Sequence, residues 1–329
     1  MSDTNPYFWK SPSFDWNATS TLAVFSSLTD SSDRIEMRDY AQSLGIAVVG
    51  AKSPGDIDMT DDNARRKWIN DTIEYVKTQG MNGINIDYEG NIQSLTQSYN
   101  SLIIDLCNAM HSAIPDSQVS VDVPIYPEYE RRNYDYKGLA TACDSLFIMA
   151  YDGIFWDNVQ CAVTNVPCSN ACASVEVVEY GIQQYLALGV PSHSLYLGLP
   201  WYGIKYMHVL GIAFNMGQIH SEDVLAAVQK AGSSGSLRLD EKSSTWIFDC
   251  GGLCSQWTDL ITDRTDTIWF DDPSSLSPKY ELASKYDLKG VGMWEATHVT
   301  YDQNSPSEFA DAMWDSLCQR NTFSDFEGS

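Results

Sequence analysis

Apolar residues recur along most of this chain in two alternating rhythms, a short run near period two and then a longer run at helical spacing. Such alternation predicts a parallel sheet with helices on its outside. Thr21 to Ser26 reads as a strand. The stretch Asp33 to Leu44 then carries Ile35, Tyr40, Ala41 and Leu44 on a helical stripe ended by Gly45, and Ile46 to Val49 is the next strand. Asp62 to Gln79 places Trp68, Ile69, Thr72, Ile73 and Val76 at helical spacing before Gly80 stops it, and a strand from Asn82 follows directly. Ser94 is the expected cap of a helix whose Leu95, Tyr99, Leu102, Ile103, Leu106 and Met110 share a face. Val119 to Val123, Ser145 to Tyr151, Leu195 to Leu199 and Gly290 to Trp294 complete the strands, with helices at Ser174 to Leu188 and Ser307 to Gln319.

These are seven strands, one short of a closed eight-stranded α/β barrel. Residues from about Tyr202 to Trp269 break the alternation, so an insertion of about 204–268 is expected before the last strand. The expectation is one catalytic barrel domain over residues 1–320 with that insertion, and a frayed tail over 321–329.

The formal net charge of -24, from 44 acidic against 20 basic residues, disfavours nucleic acid and anionic membrane surfaces and favours a neutral ligand. No apolar run is long enough to span a bilayer, and Met1 to Asn5 lacks the basic and apolar parts of a signal peptide. Eight cysteines pull the other way. Cys161, Cys168 and Cys172 lie close together and Cys250 is near Cys254, in loop-like segments that suggest disulfides and an oxidising compartment. The pairs Cys168/Cys172 and Cys250/Cys254 also leave a four-thiolate zinc site open as the lesser alternative. Asn17-Ala18-Thr19 and Asn70-Asp71-Thr72 fit the N-glycosylation sequon. The five histidines show no two-ligand helical spacing, and neither a Gly-rich phosphate loop nor a Gly-x-Ser-x-Gly elbow occurs, so no metal and no cofactor is expected.

The chemistry concentrates in Asn82-Gly83-Ile84-Asn85-Ile86-Asp87-Tyr88-Glu89. In an extended strand Asn85, Asp87 and Glu89 project to one face while Ile84, Ile86 and Tyr88 point to the other. This puts an acid at the carboxyl end of a parallel strand, where barrel enzymes keep their reactive groups. Met149-Ala150-Tyr151-Asp152 and Gly292-Met293-Trp294-Glu295 end two further strands in the same way.

These three strand ends resemble family 18 glycoside hydrolases, the chitinases and chitobiases. The likeness to the chitobiase branch extends to Met81 through Asp87, Arg132-Asn133-Tyr134-Asp135-Tyr136, Ala142-Cys143-Asp144, Gly198-Leu199-Pro200-Trp201-Tyr202-Gly203 and Gly290 through Trp294. Asn85 follows that branch, whereas Asn82 departs from the usual aspartate. The resemblance implies hydrolysis of β-1,4-linked N-acetylglucosamine oligosaccharides with retention, the sugar's own 2-acetamido oxygen acting as nucleophile. Glu89 is then the acid and base, Asp87 the partner of the acetamide N–H, and Tyr151 the donor to the acetamide oxygen. Asn85 supports Asp87, Trp294 lies under a sugar ring, and Asp152, Trp201 and Tyr202 join the substrate site, the last two being equally readable as core. It also implies a lysosomal or secreted monomer. A lectin on the same scaffold is the alternative, although such relatives typically replace the acid at the Glu89 position. Thr21 to Ser26 aligns with the second barrel strand of the family, which makes the insertion follow the seventh. Either the first strand and export signal are missing, giving an open and inactive product, or Pro6 to Trp9 substitutes poorly for that strand.

Overall fold

The computed structural model describes residues 7–317 apart from 29–30, 56, 91, 93, 130–131, 153–168, 210–211, 232–234 and 252–263. Seven parallel strands form the main sheet: β1 (Thr21–Val24), β2 (Ala47–Lys52), β3 (Gly83–Ile86), β4 (Gln118–Val123), β5 (Ser145–Met149), β6 (Leu195–Pro200) and β12 (Gly290–Trp294), paired in that order. Helices α1 (Ser32–Ser43), α2 (Asp62–Gln79), α3 (Thr96–Ala113), α4 (Tyr136–Ala142), α5 (Val175–Ala187), α7 (Pro273–Lys285) and α8 (Glu308–Leu317) alternate with them. Each strand predicted from the apolar pattern is present. The central strands β3 to β6 bury valine, isoleucine and leucine along most of their length, as a barrel wall does.

Two glycines serve the motif strand. Gly80 closes α2 in the left-handed region at φ +62, and a Cβ on Gly83 would lie 1.8 Å from the carbonyl oxygen of Gln118 on β4. Asn82, in the place of the usual aspartate, accepts from the Val48 amide at 2.9 Å and from Gln42 at 2.8 Å, so its carboxamide still ties β2 and α1 to the root of β3. Asp144 does the same for β4, accepting from the Val119 amide at 2.6 Å. The Cys107–Cys143 disulfide joins the helices on either side of that strand.

β1 and β12 are the two edges of the sheet. A cavity of about 190 Å³ lies between them, lined by Thr21, Leu22 and Ala23 on one side and Val291, Gly292 and Met293 on the other. At the carboxyl ends Phe25, just beyond β1, meets Trp294 edge-on at 4.7 Å. Phe8–Lys10 is a single 3-10 turn, so the described part of the segment offered as a substitute first strand pairs with neither edge, Pro6 lying outside the described residues.

Three local expectations need correction. Tyr40 and Leu44 face outward, 44% and 49% exposed, because Met37 and Ala41 are the residues that α1 turns to the core. Tyr40 instead packs against Trp9 and Trp16. Ser94 does not cap α3, which begins two residues later at Thr96.

Between β6 and β12 lies a second sheet of five antiparallel strands: β7 (Tyr202–Val209), β8 (Ile212–His220), β9 (Ser236–Asp240), β10 (Thr245–Gly251) and β11 (Arg264–Phe270), in the order β8-β7-β11-β10-β9. Helix α6 (Ser221–Ala231) packs Val224 against Ile219, Phe248, Ile268 and Phe270 to give this layer its own small core. It is fastened to the barrel by a buried ion pair, Lys279 of α7 reaching Asp271 at 2.5 Å and the Thr245 hydroxyl at 2.9 Å.

Candidate active site

The carboxyl ends of β3, β4, β5 and β12 and the near face of β7 and β8 enclose a cleft of about 530 Å³. Asp87, Glu89, Tyr151, Asp152 and Trp294 all line it, so the residues singled out from three separate strand ends meet in one groove. The Tyr151 ring runs nearly parallel to the Trp294 indole, 23° apart with centroids at 6.4 Å. Together they form an aromatic floor of the kind that accepts a sugar ring.

Glu89 stands at the rim, its side chain 59% exposed, and one carboxylate oxygen lies 3.0 Å from Arg132. Arg132 itself is buried, its side chain 4% exposed. The backbone on both sides of this pair is held by tyrosines: Tyr134 donates to the Tyr88 carbonyl at 2.7 Å, and the Tyr136 hydroxyl donates to the Arg132 carbonyl. Tyr88, Tyr99 and Tyr134 stack in series behind the acid.

Asp87 is half-buried, and its Oδ1 has no hydrogen-bond partner among the described residues. Burial, then the neighbouring Glu89 charge, lift its pKa to about 6, with Arg132 pulling the other way. Asn85 lies beneath it on β3, donating to Asp122 at 2.7 Å and accepting from Ser120 at 2.6 Å. Tyr151 keeps its proton, pushed upward first by burial and then by the acidic groups around it.

Asp152 follows Tyr151 with φ at 52 and is gripped from the second sheet: Tyr202 donates to it at 2.6 Å, and Gln218 also bonds its carboxyl. Tyr202 thus acts on the cleft from behind, 2% exposed. The structure does not bring Trp201 to the cleft. That indole is fully buried, bonded to Tyr280 at 3.2 Å and packed edge-on against Trp314.

The cysteine reading changes in part. Cys172 is a buried free thiol, 3.2 Å from the Asp152 amide, and so is not part of a disulfide. Cys250 is disulfide-bonded, while Cys161, Cys168 and Cys254 fall outside the described residues, as does the tail. Asn17 and Asn70 are both exposed, the latter on the outer side of α2. Among the described residues no helix is long and apolar enough to cross a membrane.

Several cleft residues had no role in the sequence reading. Arg132 was visible only as part of a resembling segment, and Asn215 and Gln218 reach the cleft from β8 by long-range pairing that no local pattern encodes. Asp122 did carry a signal. In Val119-Ser120-Val121-Asp122-Val123 two polar residues alternate with valines, in a strand expected to be buried on both faces.

The chain is similar to known proteins along most of its length. The chain is 31% identical to di-N-acetylchitobiase of Rattus norvegicus over 97% of its own length and 87% of that protein. It is 30% identical to the Homo sapiens di-N-acetylchitobiase over 96% of this chain and 82% of that one. A family 18 chitinase from Cycas revoluta, solved with (GlcNAc)3, superposes with a TM-score of 0.72 at 17% identity over 96% of both chains, and a chitinase from Chromobacterium violaceum does so at 0.70 and 18% over 94% and 93%. The model of glycosyl hydrolases family 18 matches residues 44–298. The chain is therefore a glycosidase that belongs to glycosyl hydrolases family 18.

Proposed function

We propose that this glycosidase cleaves β-1,4-linked N-acetylglucosamine in short oligosaccharides of the chitobiose type, with the substrate supplying its own nucleophile. The observation that carries the reading is Asp87. A half-buried carboxyl that lines the cleft, its pKa raised to about 6 beside an exposed acid and a protonated tyrosine, has the environment of a working group. An acetamide N–H is a suitable complement, and Tyr151 can donate to the acetamide oxygen as that oxygen attacks the anomeric carbon. Glu89 gives its proton to the glycosidic oxygen, so the C–O bond breaks with the electron pair on the leaving sugar. Glu89 then takes a proton from water as the hydroxyl opens the oxazolinium. Asp87 and the Trp294 face stabilise the positive charge that develops in between.

We further infer a lysosomal or secreted setting, with glycans at Asn17 and Asn70. The Cys107–Cys143 disulfide and the bonded Cys250 fit an oxidising compartment. The test of the function is Glu89→Gln. It should abolish hydrolysis of chitobiose-type substrates while oligosaccharide binding persists, and a thiazoline analogue of the oxazolinium should inhibit the native chain. Turnover by Glu89→Gln at the native rate would sink the assignment, and binding without any native turnover would favour a lectin.

A further inference from the structure

Asp122 is a carboxyl group that the mechanism above does not use. It lies on β4, the strand next to the one that carries Asn85 and Asp87, and is 5% exposed. Strand register pairs Asn85 with Ser120 and Ile86 with Val121, so the next step brings Asp87 abreast of Asp122. Side chains two apart on a strand share a face, and paired residues on neighbouring strands share it too. Asn85, Asp87, Ser120 and Asp122 therefore form a four-cornered polar patch on the inner wall. Three of the corners are linked, Ser120 donating to Asn85 at 2.6 Å and Asn85 donating to Asp122 at 2.7 Å.

The fourth corner is Asp87, whose Oδ1 is unbonded among the described residues. Asp122 lines the same cleft as Asp87, Glu89 and Tyr151. The titratable groups that face it are Asp87 and Glu89 from the end of β3, Tyr151 from beyond β5 and Tyr99 from α3, and none of them is a cation. A carboxyl group so buried, with two further carboxylates near and no positive partner, keeps its proton. Its chemistry is then that of a donor and an acceptor together.

We propose that Asp122 is a positioning residue for the acetamide clamp, a neutral carboxylic acid that anchors Asn85 through one oxygen and directs its O–H at the Asp87 carboxylate. The proposal rests on the reading of Asp87 given above. It divides the work of the patch: Asn85 is committed to Asp122 and Ser120, and Asp122 restrains Asp87 from the neighbouring strand while leaving the outer side of Asp87 to the acetamide.

Two variants and one spectrum test this. Asp122→Asn retains an uncharged group with one acceptor and a donor, so kcat on a chitobiose-type substrate should stay within a few-fold of native. Asp122→Leu keeps the size but removes both polar functions, and kcat should fall about 10- to 100-fold with KM little changed, the cost usual for a partner that orients a reacting group. An asparagine variant as damaged as the leucine one, or a leucine variant as active as native, would overturn the proposal. Carbon-13 NMR of the Asp122 carboxyl in the native chain should give the signal of a protonated acid at neutral pH, and an ionised signal would overturn it. That spectrum is readable even if the leucine variant does not fold. It is also readable if the native chain cleaves no chitobiose, an outcome that would defeat the proposed function separately.

Discussion

Arg132 and Glu89 form an ion pair at 3.0 Å in which the cation is buried and the acid is not. The asymmetry matters, because the guanidinium is buried and the exposed partner is the one that must meet the substrate. Tyr134 and Tyr136 hold the backbone beneath each member, so the direction of the Glu89 side chain is set by groups far from the sugar.

Arg132→Met should therefore lower kcat about 10- to 100-fold on a chitobiose-type substrate while changing KM little, as the acid loses its restraint and the binding floor stays intact. Arg132→Lys should recover only part of this, since an ammonium cannot reproduce the geometry of the fork. Steady-state kinetics of both variants checks the point.

The site is held at a cost that pH should reveal. The pKa of Asp87 is raised from 3.8 to about 6 in the fold, so the native state binds more protons than the unfolded chain between those values. Stability associated with this group is present below its unfolded pKa and is lost as pH rises through about 6. Asp87→Asn should stabilise the protein by about 2 kcal/mol at pH 7, discounted for partial exposure, with the gain vanishing below about pH 4. Denaturant melts of both proteins across that range measure it.

Lys279 and Asp271 stitch the antiparallel sheet to the barrel without contact with water. Lys279→Met leaves a buried carboxylate unpaired and should cost about 3–5 kcal/mol in equilibrium unfolding. Removing both charges, with Asp271→Leu added, should recover most of that loss.

The Cys107–Cys143 link, at a sequence separation of 36, closes a segment that contains β4. Replacing both cysteines by alanine should lower stability by about 2–4 kcal/mol through the freer unfolded chain. Urea unfolding of this variant beside native protein gives the value.

The parallel strands were legible because each is a compact apolar run whose partners succeed one another along the chain, and Asp62 and Gln79 bound α2 in sequence and structure alike. Asp87, Glu89, Tyr151 and Trp294 were legible for a related reason: each sits at or just beyond the carboxyl end of such a run. The second sheet was not, since β7 pairs with β11 across more than fifty residues and local rhythm carries no record of that partner. Trp201 shows a different limit. A tryptophan at a strand end suits a cleft or a core equally, and what decided it was Tyr280 and Trp314 from distant helices. Asp122 carried a signal, a polar position alternating with valines, but its role depends on Asn85 from the neighbouring strand, which no local pattern records.

The account depends most on the sugar's own acetamide being the nucleophile. The direct measurement is kcat/KM for a β-1,4-linked N-acetylglucosamine pair against the matched glucose pair that lacks the acetamide. The predicted ratio is on the order of 10³ or more, since an intramolecular nucleophile replaces one that would have to arrive from solution. Equal cleavage of the two substrates would contradict it.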